Sequence, residues 1–252
     1  MKLKLKYLSW IFTLSLTGFQ ILSGFELDRF QNERLQYDLI YKGLNVASSE
    51  MWLEINDSTQ HIIWAVESKP FVNLLFPVNN RYETILDNAG VLLAANKFIE
   101  QKNIQQEWLV KYDWQALRAL TNDTVEWPVL SNATNILALL YDVRMRESFN
   151  DSLFYLIDVE SQLWKLGSVP EPLYHPDTGQ LNGHELVFTF IPAAPIEPRA
   201  WNTDLLTNRL ARENSQLLFR LGPPPLRQPR LIRFGGEGEE IEMRLKPQVR
   251  RD

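Results

Sequence analysis

Residues 131–146, SNATNILALLYDVRMR, form the clearest helical pattern in a chain whose other segments alternate like β-strands. Apolar residues recur there at i, i+4 and i+7, the spacing of one helix face: Ile136, Leu140 and Val143. Thr134 or Asn135 stands where a side chain caps the first helical turn. One strong helix among strands predicts a helix that closes one side of a curved sheet.

The charged residues near the end of this helix are Asp142, Arg144 and Arg146. Charged side chains are seldom fully buried, and those at helix ends usually stay in water or pair with one another. We therefore interpret the three residues as a solvated or cap-pairing rim and not as a site.

Strands are predicted wherever apolar and polar residues alternate, because successive side chains of a strand point to opposite faces. The segments with a strand pattern are 35–42, 46–55, 60–68, 81–86, 91–101, 105–113, 152–164, 184–191, 215–221, 231–234 and 241–245. Residues 60–68 are apolar on both faces, so we place that strand centrally. For 152–164 we expect four side chains to point inward: Phe154, Leu156, Val159 and Leu163.

Prolines and weaker patterns mark the remaining segments. Residues 70–77 (PFVNLLFP) are apolar but bracketed by prolines, which favours a short helical or irregular segment over the end of the sheet. We expect a loop or an extra hairpin at 114–127, a loop at 167–183 and a short helix at 205–212. The predicted fold is mainly β: a strongly curved antiparallel sheet or incomplete barrel, with one main helix packed against it.

The N-terminus resembles an export signal. Three lysines precede an apolar run at 7–22 that has no acidic residue and ends at Ser23 and Gly24. We expect residues 1–24 to be a signal peptide cleaved after Gly24, with a retained membrane anchor as the alternative. The remaining 25–252 is then one β-rich domain, with a charged lead at 25–34 that packs on an edge or stays mobile, and a basic tail at 247–252.

Charge and composition exclude several classes of function. The net charge is −5, and removing the three N-terminal lysines leaves 23 basic and 31 acidic residues, so the sequence predicts no nucleic-acid partner. The arginine cluster at Arg227, Arg230 and Arg233 is expected to be solvated, with docking of an acidic partner or headgroup as the alternative. The sequence contains no cysteine, which excludes thiol catalysis. An exported chain without cysteine fits the periplasm or outer envelope of a Gram-negative-type bacterium.

Candidate catalytic and metal-binding residues are few. His61 lies inside a predicted strand and is expected to be a structural or partly solvated residue. Four nearby residues carry nitrogen and oxygen atoms of the types that bind metals: His175, Asp177, His184 and Glu185. Their spacing does not match a known metal-binding motif. The sequence has no P-loop, no GxSxG elbow and no dinucleotide fingerprint, so it predicts no metal and no cofactor.

Aromatic residues are the richest feature, with eight Trp and thirteen Phe. Core packing is the simplest interpretation, and an apolar groove on the concave face of an open barrel is the alternative. The residues predicted to bind a ligand in such a groove are Trp64, Phe71, Leu74, Phe76, Trp108 and Tyr141, with 71–76 as its lid.

The chain resembles a family of exported bacterial proteins of unknown function, number three thousand one hundred and eight in the series of such domains. The resemblance runs from about residue 33 to 246 and depends on three segments: LQYDLIYKGLNVA at 35–47, LYDVR at 140–144, and a closing hairpin with glycine before the last strand. The chain departs from the family pattern at Leu130, where an acidic residue is usual, and at 47–48, where glycine is usual. The resemblance implies a fold similar to that of periplasmic lipoprotein carriers, and it implies no activity.

These observations lead to three hypotheses of different classes. The first is a non-enzymatic envelope protein that binds a lipid or another apolar ligand on its curved sheet. The second is a structural or assembly module that binds an envelope protein, through a sheet edge or through the lead. The third is a glycan-acting hydrolase, for which the nominated carboxylates are Asp142, Glu185 and Asp204.

Overall fold

Strands dominate the computed structural model, which describes residues 27–122, 124–159, 161–194, 204, 207–236 and 238–247. The described residues form sixteen strands: β1 (Arg34–Tyr41), β2 (Leu44–Ile55), β3 (Thr59–Ser68), β4 (Asn79–Asp87), β5 (Leu92–Gln101), β6 (Ile104–Asp113), β7 (Arg118–Thr121), β8 (Val125–Pro128), β9 (Ala133–Thr134), β10 (Leu153–Val159), β11 (Gln162–Ser168), β12 (Glu171–Tyr174), β13 (Leu181–Pro192), β14 (Gln216–Leu221), β15 (Pro229–Gly235) and β16 (Ile241–Leu245). The helices are α1 (Pro70–Asn73) and α2 (Ile136–Met145), with 3₁₀ turns at Leu27–Phe30 and Thr207–Arg209. The predicted signal peptide at 1–24 lies outside the described residues, as does the tail after residue 247.

All of these strands belong to one sheet, with the order β8-β7-β6-β5-β4-β3-β2-β1-β16-β15-β14-β13-β11-β10-β9, and β12 pairs with β13. Every pairing is antiparallel except that of β9 with β10. The meander predicted between residues 81 and 113 is present as β4 to β6, and β7 with β8 forms the extra hairpin.

The chain path shows that this sheet is strongly curved. The two edge strands are consecutive in sequence, because β8 ends at Pro128 and β9 begins at Ala133. Five residues span at most about 18 Å. A flat sheet with the same strand order would hold its edges on the order of 65 Å apart, at about 4.8 Å per strand. The sheet must therefore curl until its edges approach each other, which confirms the predicted open-barrel architecture.

Helix α2 lies inside this curl. It begins at Ile136, directly after one of the two predicted cap positions, and the preceding Ala133–Thr134 forms β9. Seven of its ten residues are buried: Leu137, Ala138, Leu139, Leu140, Tyr141, Val143 and Arg144. A helix buried on nearly every side is an internal element and not a surface element. It braces the concave face of the sheet, as predicted.

The N-cap of α2 is Asn135, one of the two predicted residues. Its Oδ1 accepts a hydrogen bond from the Ala138 amide at 3.0 Å, and its Nδ2 donates to Thr84 Oγ1 at 2.8 Å. This side chain therefore caps the helix and also ties it to β4.

Replacing Asn135 by alanine is expected to lower the free energy of unfolding by about 1–2 kcal/mol, because the cap and the bond to Thr84 are both lost. Urea denaturation measures the change. Asn132→Ala, at an exposed position in the same segment, is the matched control and should stay within about 0.5 kcal/mol of the wild type. Equal losses in the two variants would contradict the capping role.

Arg144 corrects the prediction of a solvated rim, because its side chain is fully buried. Its Nη2 lies 2.5 Å from Glu33 Oε2, and its guanidinium stacks over the Phe30 ring at 4.1 Å. The charged lead supplies both partners, and its residues Leu27 and Phe30 are themselves buried. A partner from a distant part of the chain allows this arginine to be buried.

The other two rim residues match the prediction more closely. Arg146 Nη2 lies 3.3 Å from Asp142 Oδ2, an i,i+4 ion pair at the end of α2. The Tyr155 hydroxyl donates to the same carboxylate oxygen.

The region after α2 requires further corrections. The single strand predicted at 152–164 is the hairpin of β10 and β11, whose turn places Ser161 at φ +60° without a glycine to mark it. Val159 is buried as predicted, but the other inward positions differ: Phe154 is 78% exposed, and Leu153 and Ile157 are buried instead. The predicted loop at 167–183 contains β12.

None of the helices in the described part of the chain combines the length and the hydropathy needed to cross a membrane.

Candidate functional site

Two cavities adjoin in the interior beside α2. One has a volume of about 100 Å³ and is lined mainly from β4 to β8, and the other has about 60 Å³ and is lined from β2, β3 and β14 to β16. They share four lining residues: Tyr82, Ile136, Leu137 and Thr207. Most of the surface of both cavities is apolar, but only the first exposes polar atoms, so we call them the polar cavity and the apolar cavity.

The apolar cavity is enclosed by large hydrophobic side chains, including Trp64, Leu140, Phe219, Ile232, Phe234 and Met243. The Trp64 ring stacks on Tyr82 at 4.8 Å between centroids and meets Phe234 edge-on at 6.3 Å. The buried Trp64 Nε1 has no hydrogen-bond partner among the described residues.

Asp204 lies at the side of the polar cavity that adjoins the apolar one. The Tyr82 hydroxyl donates to its Oδ1 at 2.7 Å, and so does the Thr207 amide at 2.8 Å. Lys97 Nζ lies 3.8 Å from its Oδ2 and donates to Thr207 Oγ1 at 3.0 Å. These donors hold a fully buried carboxylate in place.

Asp158 is the second buried carboxylate of the polar cavity. The Tyr112 hydroxyl donates to its Oδ2 at 2.9 Å, and Trp127 Nε1 donates to the same atom at 3.3 Å. Burial raises the pKa of Tyr112 well above its usual value, and the adjacent Asp158 charge raises it further. Tyr112 therefore remains a neutral donor at all physiological pH values.

Two further polar atoms of this cavity have no partner within the described structure. Thr121 is buried and its Oγ1 makes no hydrogen bond, and the same holds for Asn96 Oδ1. The amide of Asn96 donates to Glu83 at 3.1 Å, and His61 Nδ1 lies 2.8 Å from the other Glu83 oxygen. Burial raises the pKa of Glu83, but these hydrogen bonds outweigh it, so the pKa falls below its usual value. His61 thus has the structural position predicted for it.

The predicted ligand-binding residues do not form one group. Trp64 lines the apolar cavity and Trp108 lines the polar one. Tyr141 is buried against Phe30, with ring centroids 5.5 Å apart, and lines neither cavity. The other three, Phe71, Leu74 and Phe76, lie at or just after α1, outside both linings, so 71–76 is not their lid.

Sequence reasoning missed most of the polar lining. Asp204 was nominated only as a weak catalytic carboxylate, and Asp158, Tyr82 and Thr121 were not singled out. Tyr82, Thr121 and Asp158 lie on different strands and Asp204 lies in a loop, so only the folded chain brings them together. The available signal was a polar residue at an inward position, such as Thr84 between Tyr82 and Leu86 on one face of its strand.

The possible metal ligands are dispersed. Within the described ranges, no three His, Asp or Glu side chains are grouped closely enough to hold a metal ion. His175 is exposed in a turn, His184 packs on the Phe149 ring at 4.7 Å, and Glu185 pairs with Arg220 at 2.5 Å.

Arg227 corrects the prediction of a solvated arginine cluster. It is buried, donates to the Glu147 carbonyl at 2.7 Å and stacks on Phe149 at 4.9 Å. Arg230 and Arg233 behave more as predicted: Arg230 is exposed, and Arg233 lies on β15 with Glu242 4.0 Å away.

His184 makes stability depend on pH. Burial lowers its pKa below the usual 6.5, and the nearby Arg227 charge lowers it further. The unfolded chain therefore binds a proton at His184 more readily, so this contribution to stability is present above pH 6.5 and is lost as the pH falls. We expect His184→Gln to flatten the fall in melting temperature between pH 7.5 and pH 5.5. His175→Gln, on the exposed turn, is the control and should leave the slope unchanged; an unchanged slope in His184→Gln would contradict the assignment.

Comparison with known proteins supports the fold. No protein-family model and no curated protein matches this chain. It is similar to a crystal structure of a β-barrel-like protein of the domain of unknown function DUF1849 from Brucella abortus, with a TM-score of 0.54 over 84% of this chain and 94% of that one. The sequence identity is 10%, so the likeness establishes a shared β-barrel-like fold.

Proposed function

We propose that this protein binds an amphipathic ligand, such as a lipid or another molecule with an acyl chain, in the two adjoining cavities and carries out no chemistry on it. The observation that carries the proposal is the contact between a polar and a wholly apolar cavity across Tyr82, Ile136, Leu137 and Thr207. An amphipathic molecule has the same division into two chemically different ends.

The cavity volumes limit what this conformation accommodates. An apolar cavity of about 150 Å³ in another protein binds benzene. The apolar cavity here, at about 60 Å³, holds a few carbon atoms, and a longer chain must extend beyond it. Each buried methylene contributes about 0.8 kcal/mol, so affinity should rise with chain length until the cavity is filled.

The polar cavity selects the headgroup. Its charged lining residues are Asp158, Asp204 and Glu83 against Lys97, a net negative set. An anionic headgroup would be repelled by this net negative lining, whereas an amine or hydroxyl donates to the carboxylates. We therefore expect a neutral or cationic headgroup.

A displacement assay tests this function. The fluorescent probe N-phenyl-1-naphthylamine is bound to the protein and titrated with dodecylamine, dodecanol or dodecanoate at the same ionic strength. We expect dodecylamine and dodecanol to displace the probe at concentrations at least about tenfold lower than dodecanoate, which corresponds to about 1.4 kcal/mol. Equal displacement by all three compounds would contradict the headgroup assignment, and displacement by none would contradict the function.

The family and the location are part of the proposal. We propose that the chain belongs to the exported bacterial family of unknown function, number three thousand one hundred and eight, and works in the periplasm or outer envelope. The segments 35–47 and 140–144 and the signal-like residues 1–24 support this. Fractionation with N-terminal sequencing should recover the protein in the envelope with Phe25 as its first residue.

A hydrolase is the second candidate, because two carboxylates, Asp158 and Asp204, line one cavity. The cavity volume of about 100 Å³ is small for a sugar ring, and the other nominated carboxylates are engaged elsewhere, Asp142 with Arg146 and Glu185 with Arg220. Release of reducing ends from envelope glycan that is abolished in Asp158→Asn would favour the hydrolase.

Assembly through a sheet edge has less support. The edge strands β8 and β9 are four and two residues long, and short edges are poor templates for pairing with another chain. The lead is engaged with Arg144.

A further inference from the structure

One end of the sheet has an exposed apolar surface that the cavities do not use. It is formed by three neighbouring loops, residues 41–46, 69–78 and 101–104, which we call the tip. Leu74 is 86% exposed and Leu75 is 79% exposed, and Phe71 and Leu44 beside them are also exposed. Adjacent exposed hydrophobic residues of this size usually mark an interaction surface.

The tip is an ordered part of the fold. The Lys69 amide donates to the Val46 carbonyl at 2.9 Å, and the Lys102 amide donates to the Pro77 carbonyl at 3.0 Å, so the middle loop is joined to both of its neighbours. Ser68 Oγ donates to Asn73 Oδ1 at 3.1 Å and supports α1 from below. These hydrogen bonds fix the backbone on both sides of Leu74 and Leu75, whose side chains are exposed.

The charge of the tip differs from that of the whole chain. The three loops contain no Asp or Glu and carry three lysines, in a protein with a net charge of −5. Lys42 and Lys102 are exposed on the two outer loops, whereas Lys69 is bound to Asp38 at 3.3 Å and Ser48 at 2.7 Å. Exposed leucine and phenylalanine flanked by lysine are the groups that bind the interface of an anionic bilayer.

We propose that the tip docks the protein on a bilayer that contains anionic phospholipid. Phe71, Leu74 and Leu75 enter the acyl boundary, and Lys42 and Lys102 contact the anionic headgroups. The tip lies outside both cavity linings, so this docking does not depend on the proposed ligand.

Vesicle flotation tests the proposal with protein purified from the envelope of its own host. The vesicles contain phosphatidylethanolamine with 25% phosphatidylglycerol, or phosphatidylcholine alone. We expect tighter binding to the anionic vesicles and at least about a tenfold loss of affinity in Leu74→Ser/Leu75→Ser, because two exposed apolar side chains are removed. Lys42→Glu/Lys102→Glu should abolish the preference for anionic vesicles.

The matched control is Phe154→Ser/Val169→Ser, which removes two equally exposed apolar side chains from another part of the sheet. All variants have the same N-terminus as the wild type, so a difference in vesicle affinity between them comes from the substituted side chains and not from the N-terminal segment. The control should bind within about twofold of the wild type. Equal losses in the two double variants, or no binding by the wild type, would overturn the proposal. Sedimentation velocity tests whether the tip instead binds a second copy of the chain. If the wild type is a dimer that does not bind vesicles, and Leu74→Ser/Leu75→Ser is a monomer, the tip is a self-association surface and the proposal is wrong.

Discussion

Replacing Arg144 by alanine is expected to lower the free energy of unfolding by about 3–5 kcal/mol, the range for breaking a buried ion pair from one side. Arg144 is fully buried and lies 2.5 Å from Glu33, whose side chain is only 9% exposed. Its Nη2 also donates to the Leu226 carbonyl at 3.3 Å. The substitution therefore leaves a nearly buried carboxylate without its cation and removes one of the contacts between the lead and α2.

A double-mutant cycle separates the ion pair from the packing. Arg144→Met keeps most of the volume, and Glu33→Gln removes the charge that would be left behind. The double variant should be more stable than Arg144→Met alone, which requires a coupling free energy larger than the cost of Glu33→Gln alone. Urea denaturation measures all four proteins. If Arg144→Ala lowers the free energy of unfolding by less than about 1 kcal/mol, the ion pair with Glu33 does not stabilise the fold as predicted.

Filling the apolar cavity is expected to weaken ligand binding at least about tenfold. Ile232 lines this cavity from β15, and its replacement by tryptophan fills the space. The overpacked side chain should also cost about 1–3 kcal/mol of stability. Binding is measured with N-phenyl-1-naphthylamine, at a temperature at which thermal melting shows the variant to be folded.

Leu231→Trp is the matched control for this experiment. Leu231 is the preceding residue on β15, lines neither cavity, and points to the other face of the sheet because strand side chains alternate. It should keep probe affinity within about twofold of the wild type. An Ile232→Trp variant that is folded and binds the probe as tightly as Leu231→Trp would contradict the location of the site.

Periodicity was sufficient to predict most of the framework. The alternation in 35–42 corresponds to β1, the run in 60–68 that is apolar on both faces corresponds to β3, and the 3.6-residue pattern around Leu140 corresponds to α2. Both patterns depend on neighbours in sequence, so they are visible without a structure. The curvature of the sheet follows from the order of the strands and from the short link between β8 and β9. Sequence patterns predict the strands but not their order in the sheet, so they do not predict this curvature in detail.

The errors have physical reasons that lie in distant contacts. Arg144 is polar by type, and only its contact with Glu33, 111 positions away, makes its burial favourable. Phe154 has strong strand propensity, but a one-residue shift of register places it in solvent. Asp158 lies on β10 and Asp204 in a loop far along the chain, so no local pattern indicated the polar cavity.

Lipid extraction of the protein purified under mild conditions from its own envelope tests the central claim most directly. Native mass spectrometry before extraction gives the stoichiometry, and analysis of the extract identifies the molecule. We predict one amphipathic ligand per chain, with an apolar chain and a neutral or cationic headgroup, and its loss in Ile232→Trp but not in Leu231→Trp. A wild-type protein that carries no such molecule, and whose mass is unchanged after incubation with dodecylamine, would contradict the claim.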